Sequence, residues 1–102
     1  MKEVQVLGVE NEELKIALSG DIDVGNADEF FAVVETVYAA EKKTIAFDCQ
    51  QLSFIDSTTL GVFVKITKLT EADGNKVRLL GLQARIKKLF TICALGSRMD
   101  IA

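Results

Sequence analysis

Apolar and polar residues alternate near the start of the chain, over residues 4–9 and again over residues 14–18. This period of two predicts two β-strands, and the polar residues 10–13 between them predict a hairpin turn. Two short apolar runs follow later, at residues 44–48 and 77–80. Each of them predicts a further strand, and the first is expected in the centre of the sheet.

Elsewhere, apolar residues recur every three or four positions, which is the spacing of one face of a helix. Three such stripes are present. The first consists of Phe30, Val33, Val34, Val37 and Tyr38, the second of Leu60, Phe63, Val64 and Thr67, and the third of Ile86, Leu89, Phe90 and Cys93. Each stripe predicts a helix that packs one face against the sheet.

Residues that start or stop helices flank these stripes. Residues 20–23 form a predicted loop, after which Asn26 and Glu29 have the spacing of a capping box at the start of the first helix. Gly74 follows the second helix and Gly96 the third, at positions where a left-handed glycine commonly ends a helix. These signals place the three helices between the strands.

The resulting order is β-β-α-β-α-β-α, with Ile101 as the start of a last strand. Strands that alternate with helices predict an α/β fold whose later strands are parallel, and the first hairpin makes the sheet mixed. A chain of 102 residues is long enough for one hydrophobic core and too short for a second domain. We therefore predict a single domain over residues 1–102, with a mixed, mostly parallel sheet packed with helices.

Composition narrows the classes of function. The sequence is 49% hydrophobic and 26% charged, as in soluble globular proteins, and it contains no histidine. The missing histidine excludes Ser-His-Asp and Cys-His nucleophile systems and HExxH metal sites. Cys49 and Cys93 are too few for a disulfide framework and indicate a reducing compartment. The longest apolar run, residues 30–34, is far too short to span a membrane, and no signal peptide precedes it, so we expect a cytoplasmic protein without membrane contact.

Charge is distributed unevenly along the chain, although the net charge is only −3. Residues 1–60 carry twelve acidic and four basic side chains, whereas residues 61–102 carry three acidic and eight basic ones. This pattern is compatible with solvated charges on opposite faces, and also with an acidic partner-facing surface near the loops of the first half. It lacks the long basic stripe of a nucleic-acid binder, so we expect no direct contact with nucleic acid.

Residues 48–61 connect a predicted strand to the second helix and hold a dense group of polar side chains. One carboxylate, Asp56, precedes three hydroxyls, those of Ser57, Thr58 and Thr59. Asp, Ser and Thr are the usual helix caps, and capping by itself explains such a group. A helix N-terminus also presents free N–H groups and the positive end of the helix dipole, so the same place tolerates a phosphate.

These residues support a catalytic serine or a nucleotide site less well. The chain has no histidine to activate Ser57, and Lys65 lies two turns further along the helix. Gly74 and Gly81 are isolated and do not form a phosphate-binding loop. A small enzyme or nucleotide binder that uses Asp56 and Ser57 is therefore the alternative from a different class, and we expect a non-enzymatic domain without a cofactor.

The same segment resembles a family signature. Residues 54–64, FIDSTTLGVFV, are similar to the signature of STAS domains, in particular that of the bacterial anti-sigma factor antagonists of stress and sporulation pathways. Residues 20–23 match the Gly-x-[Leu/Ile]-Asp loop of these proteins, residues 44–48 their preceding strand and residues 85–90 their third helix. The resemblance covers nearly the whole chain and implies the STAS fold.

The resemblance further implies that Ser57 is phosphorylated by a serine kinase that is also the anti-sigma factor. The unphosphorylated protein would bind this kinase and so release a sigma factor, and a serine phosphatase would reset the modified form. The implied partner-binding residues are Asp21, Asp23, Asp56, Thr58, Thr59 and Gly61. The alternative within the family is a STAS scaffold subunit of a larger signalling or transport assembly, in which Ser57 only caps the helix.

Thr59 departs from the family pattern, which usually has glycine at this position. A β-branched side chain there adds bulk and a third hydroxyl where a partner would approach. Thr58 and Thr59 are therefore candidate secondary phosphorylation sites.

Overall fold

The computed structural model describes residues 1–93 and 97–102, and this part of the chain contains five strands and three α-helices. In chain order they are β1 (Val4–Glu10), β2 (Glu13–Ile22), α1 (Ala27–Ala40), β3 (Thr44–Ile55), α2 (Ser57–Glu71), β4 (Val77–Leu80), α3 (Ala84–Ile92) and β5 (Asp100–Ile101). The predicted order of elements is confirmed, including the last strand at Ile101. None of the described helices is long and apolar enough to cross a membrane.

The five strands form one sheet in the order β1-β2-β3-β4-β5. β1 and β2 pair antiparallel, and every later neighbouring pair is parallel. In the turn between β1 and β2, Asn11 and Glu12 both have positive φ, 53° and 65°. Two such residues give a hairpin turn whose twist matches that of its strands. The predicted mixed, mostly parallel sheet is confirmed.

The core lies between the sheet and the helices and is centred on four phenylalanine rings. Phe63 of α2 makes edge-to-face contacts with Phe30 of α1, Phe47 of β3 and Phe90 of α3, with ring centroids 5.3 to 5.5 Å apart. All four side chains are fully buried. Such ring pairs contribute about 0.5–1.5 kcal/mol each beyond the burial of their area. These contacts hold α2 against β3, and with it the polar segment at the start of α2.

The ends of α2 and α3 test two of the predicted helix boundaries. Gly74, after α2, has φ +75°, as predicted for a glycine that follows a helix. The prediction that Cys93 belongs to the helical stripe of α3 is wrong: α3 ends at Ile92, and Cys93 is its exposed C-cap. Beyond a helix end, a spacing of three or four positions no longer keeps a side chain on the same face. The predicted closing residue of α3, Gly96, lies outside the described residues.

β2 and β3 both continue beyond their predicted ends. The predicted loop is wrong over residues 20–22, which extend β2, and the segment after Asp48 is strand as far as Ile55. The pairing of β2 with β3 shifts register twice over this stretch, so the alternation of buried and exposed side chains is broken. The buried side chains in the second half of β3 are those of Cys49, Leu52 and Ile55. Because these buried residues are three positions apart, this half of the strand lacks the alternation of apolar and polar residues that would predict it from the sequence.

The start of α1 differs from the predicted capping box. Asn26 is the N-cap, but its side chain makes no capping hydrogen bond. Its Oδ1 accepts from the N–H of Asp23, and its Nδ2 donates to the carbonyl oxygen of Asp21. Glu29 instead lies 3.8 Å from the N-terminal ammonium of Met1. The Asn26 side chain thus braces the loop between β2 and α1 rather than the helix.

Candidate functional site

The candidate site lies at the carboxyl ends of β2 and β3, where the loop before α1 meets the first turn of α2. These parallel strands are neighbours, and Ile22 pairs with Ile55 at their ends. The residues that follow, Asp23 and Asp56, therefore leave the sheet side by side. In open α/β sheets, binding sites commonly lie outside the carboxyl ends of the strands.

Asp56 joins these two segments through its two carboxylate oxygens. It is the N-cap of α2, and its Oδ1 accepts a hydrogen bond of 3.0 Å from the N–H of Thr59. Its Oδ2 accepts one of 2.9 Å from the N–H of Val24 in the other loop. The bond from Thr59 is the main cause that lowers the pKa of Asp56, and the bond from Val24 also lowers it, against an opposing desolvation. Asp56 is therefore ionised at neutral pH, and the fold itself uses both of its oxygens.

Ser57 is the first residue of α2, and its side chain is exposed. Within the described part of the chain, its hydroxyl has no hydrogen-bond partner. Ser57 does not cap the helix, because Asp56 takes that role. A free hydroxyl at this place can carry a phosphate beside the positive end of the helix dipole. The next residue, Thr58, is exposed as well.

Thr59 points into the protein instead of toward a partner. Its side chain is fully buried, and its Oγ1 donates a hydrogen bond of 2.5 Å to the carbonyl oxygen of Ile22. The same Oγ1 lies 3.1 Å from Oδ1 of Asp56. This burial argues against the predicted roles of Thr59 as a contact residue and as a secondary phosphorylation site in the folded chain. Where the family usually has glycine, this chain has a link between α2 and β2.

Asp21 and Asp23 lie at the same end of the sheet as Asp56. Asp21, near the end of β2, is exposed, and its carboxylate makes no hydrogen bond with the described residues. Asp23 is half-buried, and its carboxylate accepts a hydrogen bond of 2.9 Å from the N–H of Gly25. Asp23 therefore shapes the loop while it contributes negative charge, whereas Asp21 contributes charge alone.

Gly61 is exposed on α2, one turn after Ser57. A Cβ added at Gly61 would have no neighbour within 4 Å. The packing of this chain therefore does not require glycine here, and glycine inside a helix costs about 0.5–1 kcal/mol relative to alanine. Its effect is to leave a smooth surface beside Ser57.

Two exposed apolar side chains flank the site, and the sequence predictions did not include either of them. Val24 is 74% exposed in the loop before α1, and Phe54 is 47% exposed near the end of β3. Phe54 lines a shallow groove with residues of α3, among them Arg85, whose guanidinium donates to the carbonyl oxygen of Ser53 at 2.6 Å. The sequence signal that could have indicated Val24 is its position as a single apolar residue within residues 23–26.

Among the described residues at this end of the sheet, the exposed reactive groups are hydroxyls and carboxylates. No group of three or more Cys, Asp or Glu side chains that could hold a metal is present among the residues described. Cys49 is buried, and burial raises the pKa of its thiol to about 12, so it is not a nucleophile at neutral pH. The hydroxyls of Ser57 and Thr58 are exposed and so are accessible to a modifying protein.

Together these features describe a small α/β domain with an exposed serine and exposed apolar side chains at the carboxyl edge of its sheet. The family model of the STAS domain matches residues 4–102. The chain belongs to the STAS domain family, as the resemblance of residues 54–64 predicted.

Relatives and solved structures agree with this membership. The anti-sigma-B factor antagonist of Listeria monocytogenes is 28% identical over 98 residues, which are 96% of this chain and 86% of that protein. The structure of SpoIIAA from Bacillus in its phosphorylated form is 27% identical, with a TM-score of 0.75 over 97% of this chain and 90% of that one. A Thermotoga maritima protein has a TM-score of 0.82 at 19% identity, over 96% of this chain and 82% of that one, and shows the shared fold alone.

Proposed function

We propose that this protein is an anti-sigma factor antagonist whose binding is controlled by phosphorylation of Ser57. Unphosphorylated, it binds a serine kinase that is also the anti-sigma factor, and this sequestration releases a sigma factor. Phosphorylated, it dissociates, and a serine phosphatase removes the phosphate. The chain acts in the cytoplasm as one domain over residues 1–102, and this role needs neither a cofactor nor a catalytic group of its own.

The free hydroxyl of Ser57 carries this proposal. Because Asp56 caps α2, the exposed Ser57 has no structural task among the described residues. The relatives from Listeria monocytogenes and Staphylococcus aureus are named anti-sigma-B factor antagonists. SpoIIAA is known in an unphosphorylated and in a phosphorylated form. These names support a partner and a modification of the same kind for this chain.

The surface around Ser57 supports a protein partner. Val24, in the loop before α1, and Phe54, near the end of β3, provide exposed apolar area at this end of the sheet, and such groups commonly anchor an interface. Gly61 leaves room for the partner to approach α2 closely. Asp21 adds an exposed charge that steers association and fixes orientation more than it adds affinity.

A phosphate on Ser57 would weaken binding of the partner enough to act as a switch. It adds about two negative charges and three acceptor oxygens next to Asp56, which is already ionised. Asp56 occupies the N–H groups of Thr59 and Val24, so the phosphate cannot use them without displacing the cap. The helix dipole recovers about 1 kcal/mol, whereas an unpaired dianion in an interface costs several kcal/mol. A loss of about 3–4 kcal/mol weakens binding by a few hundredfold.

Phosphorylation in vitro tests the proposal. The protein is incubated with ATP and the serine kinase of the anti-sigma type from the same organism, and the phosphate is located by mass spectrometry. We expect one phosphate per chain on Ser57, none on Ser57→Ala, and a phosphate that is still located on Ser57 in the matched control Thr58→Ala. Thr58 is also exposed and is the neighbouring hydroxyl, so this control separates the two positions.

Two outcomes would contradict the proposal. Phosphate found mainly on Thr58 would show that the kinase modifies Thr58 and that the assignment to Ser57 is wrong. A chain that the kinase neither binds nor modifies, and that co-purifies with a larger assembly, would favour the scaffold role instead.

A further inference from the structure

Lys65 lies on the same exposed side of α2 as Ser57 and Gly61. The three residues are four positions apart, so they follow one another along one side of the helix, and all three are exposed. At 1.5 Å per residue, Lys65 is about 12 Å from Ser57 along the helix axis. The glycine between them leaves this side of α2 open, because an added Cβ would meet nothing within 4 Å.

Lys65 presents a positive charge that the described residues leave unneutralised. Its Nζ lies 5.4 Å from the centroid of the Phe31 ring of α1, a contact that orders the side chain without cancelling its charge. No carboxylate in the described part of the chain forms an ion pair with it. The first acidic residue of α2 is Glu71, at the end of the helix. A cation held in this way is available to an anionic group of a partner.

The charge around Ser57 has the opposite sign, since Asp21, Asp23 and Asp56 lie at that end of α2. We infer that the footprint of the kinase extends from Ser57 across Gly61 to Lys65, and that the kinase presents a carboxylate to Lys65. The inference rests on the proposed function and adds an orientation to it. Opposite charges at the two ends of one contact face permit one direction of docking and oppose the reverse.

Substitutions at Lys65 separate its charge from its packing on Phe31. Lys65→Met keeps an unbranched apolar side chain over the ring and removes the charge, and Lys65→Glu reverses the charge. Lys65→Arg keeps both the charge and the cation–π contact. Lys42→Glu is the matched control, because Lys42 is exposed before β3, at the opposite end of that strand from Ser57. Lys42→Glu changes the net charge of the protein by the same amount as Lys65→Glu.

The measurement is steady-state phosphorylation of Ser57 by the same kinase at low ionic strength, with kcat and KM for each variant. We expect KM to rise about threefold for Lys65→Met and about tenfold for Lys65→Glu. Lys65→Arg and Lys42→Glu should stay within about twofold of wild type. All variants should keep the wild-type kcat, since Lys65 is about 12 Å from the hydroxyl. The effect of Lys65→Glu should shrink at high salt, which screens exposed charges.

A KM of Lys65→Glu within about twofold of wild type would overturn the inference. An equal rise for Lys42→Glu would overturn it as well, because the effect would then report net charge only. In both cases wild-type protein is still phosphorylated on Ser57, and the proposed function stands. If the kinase does not modify the wild-type protein, the proposed function is refuted, and the inferred footprint is refuted as well.

Discussion

At the scale of single residues, Asp56 is the side chain on which both segments of the site depend. One of its oxygens accepts from the N–H of Thr59 in α2 and the other from the N–H of Val24 in the adjoining loop. Asp56→Asn keeps one acceptor oxygen and turns an amide group toward the other N–H. We therefore expect this variant to melt several degrees below wild type at pH 7, as measured by circular dichroism.

This loss depends on pH in a defined direction. Hydrogen bonds to the ionised carboxylate lower the pKa of Asp56 in the folded protein. Its contribution to stability is therefore present above the ordinary carboxyl pKa, near 4, and is lost as the pH falls through the lower folded value. The difference between wild type and Asp56→Asn should be full at pH 7 and should shrink below about pH 4. Asp21→Asn is the control, and an equal effect of both variants would show that general charge, not the cap, is responsible.

The residue types of this cap were predictable, but the division of roles among them was not. The Asp-Ser-Thr-Thr order correctly indicated the start of a helix at residues 56–59. Which side chain caps depends on the extended backbone of Asp56 and on Val24, whose N–H arrives from 32 positions earlier in the chain. The spacing of residues carries no information about such a contact, so Ser57 could be read as a cap until the fold was known.

At the scale of elements, Thr59 links α2 to β2 through its buried hydroxyl. Thr59→Val keeps the shape of the side chain and removes the donor to the Ile22 carbonyl, so we expect a loss of about 1–3 kcal/mol in the free energy of unfolding. Thr59→Ser keeps the donor and loses one methyl group, which costs about 1 kcal/mol. Urea unfolding of the two variants gives the comparison. A larger loss for Thr59→Ser than for Thr59→Val would mean that packing, rather than the hydrogen bond, holds the helix here.

Helices were predicted more completely than strands, and the reason lies in where their hydrogen bonds come from. A helix bonds within its own segment, so the stripes around Phe30 and Phe63 identify α1 and α2 directly. The second halves of β2 and β3 bond to each other across a parallel pair, and their register shifts remove the alternation that marks a strand. The partner strand, which is distant in sequence, determines where each of them ends.

At the scale of the whole molecule, part of the charge asymmetry of the sequence is neutralised by folding. Arg78 of β4 forms two hydrogen bonds, of 2.6 and 2.8 Å, with the carboxylate of Glu13 on β2. β3 lies between these strands, and the small side chain of Ala46, which pairs with Arg78, leaves room for the ion pair above it. The hydrogen bond from Arg78 lowers the pKa of Glu13. Among the described residues, the acids near Ser57 form no ion pair, and the exposed carboxylate of Asp21 also makes no hydrogen bond.

The same scale allows folding and binding to be separated at Ser57. Because Asp56 is the cap, Ser57→Ala and Ser57→Asp should both lie within about 0.5–1 kcal/mol of wild type in stability, with aspartate favoured by the helix dipole. The two variants should differ in their binding to the kinase. A negative charge beside Asp56 opposes the interface, whereas a neutral side chain permits it. Calorimetric titration with the kinase should give a Kd for Ser57→Ala close to that of wild type and a weaker one for Ser57→Asp. Aspartate carries half the charge of a phosphate, so enzymatically phosphorylated wild type is the stronger arm, with binding weakened by a few hundredfold. If Ser57→Asp and phosphorylated wild type both bind as tightly as Ser57→Ala, phosphorylation does not control this surface and the switch is refuted.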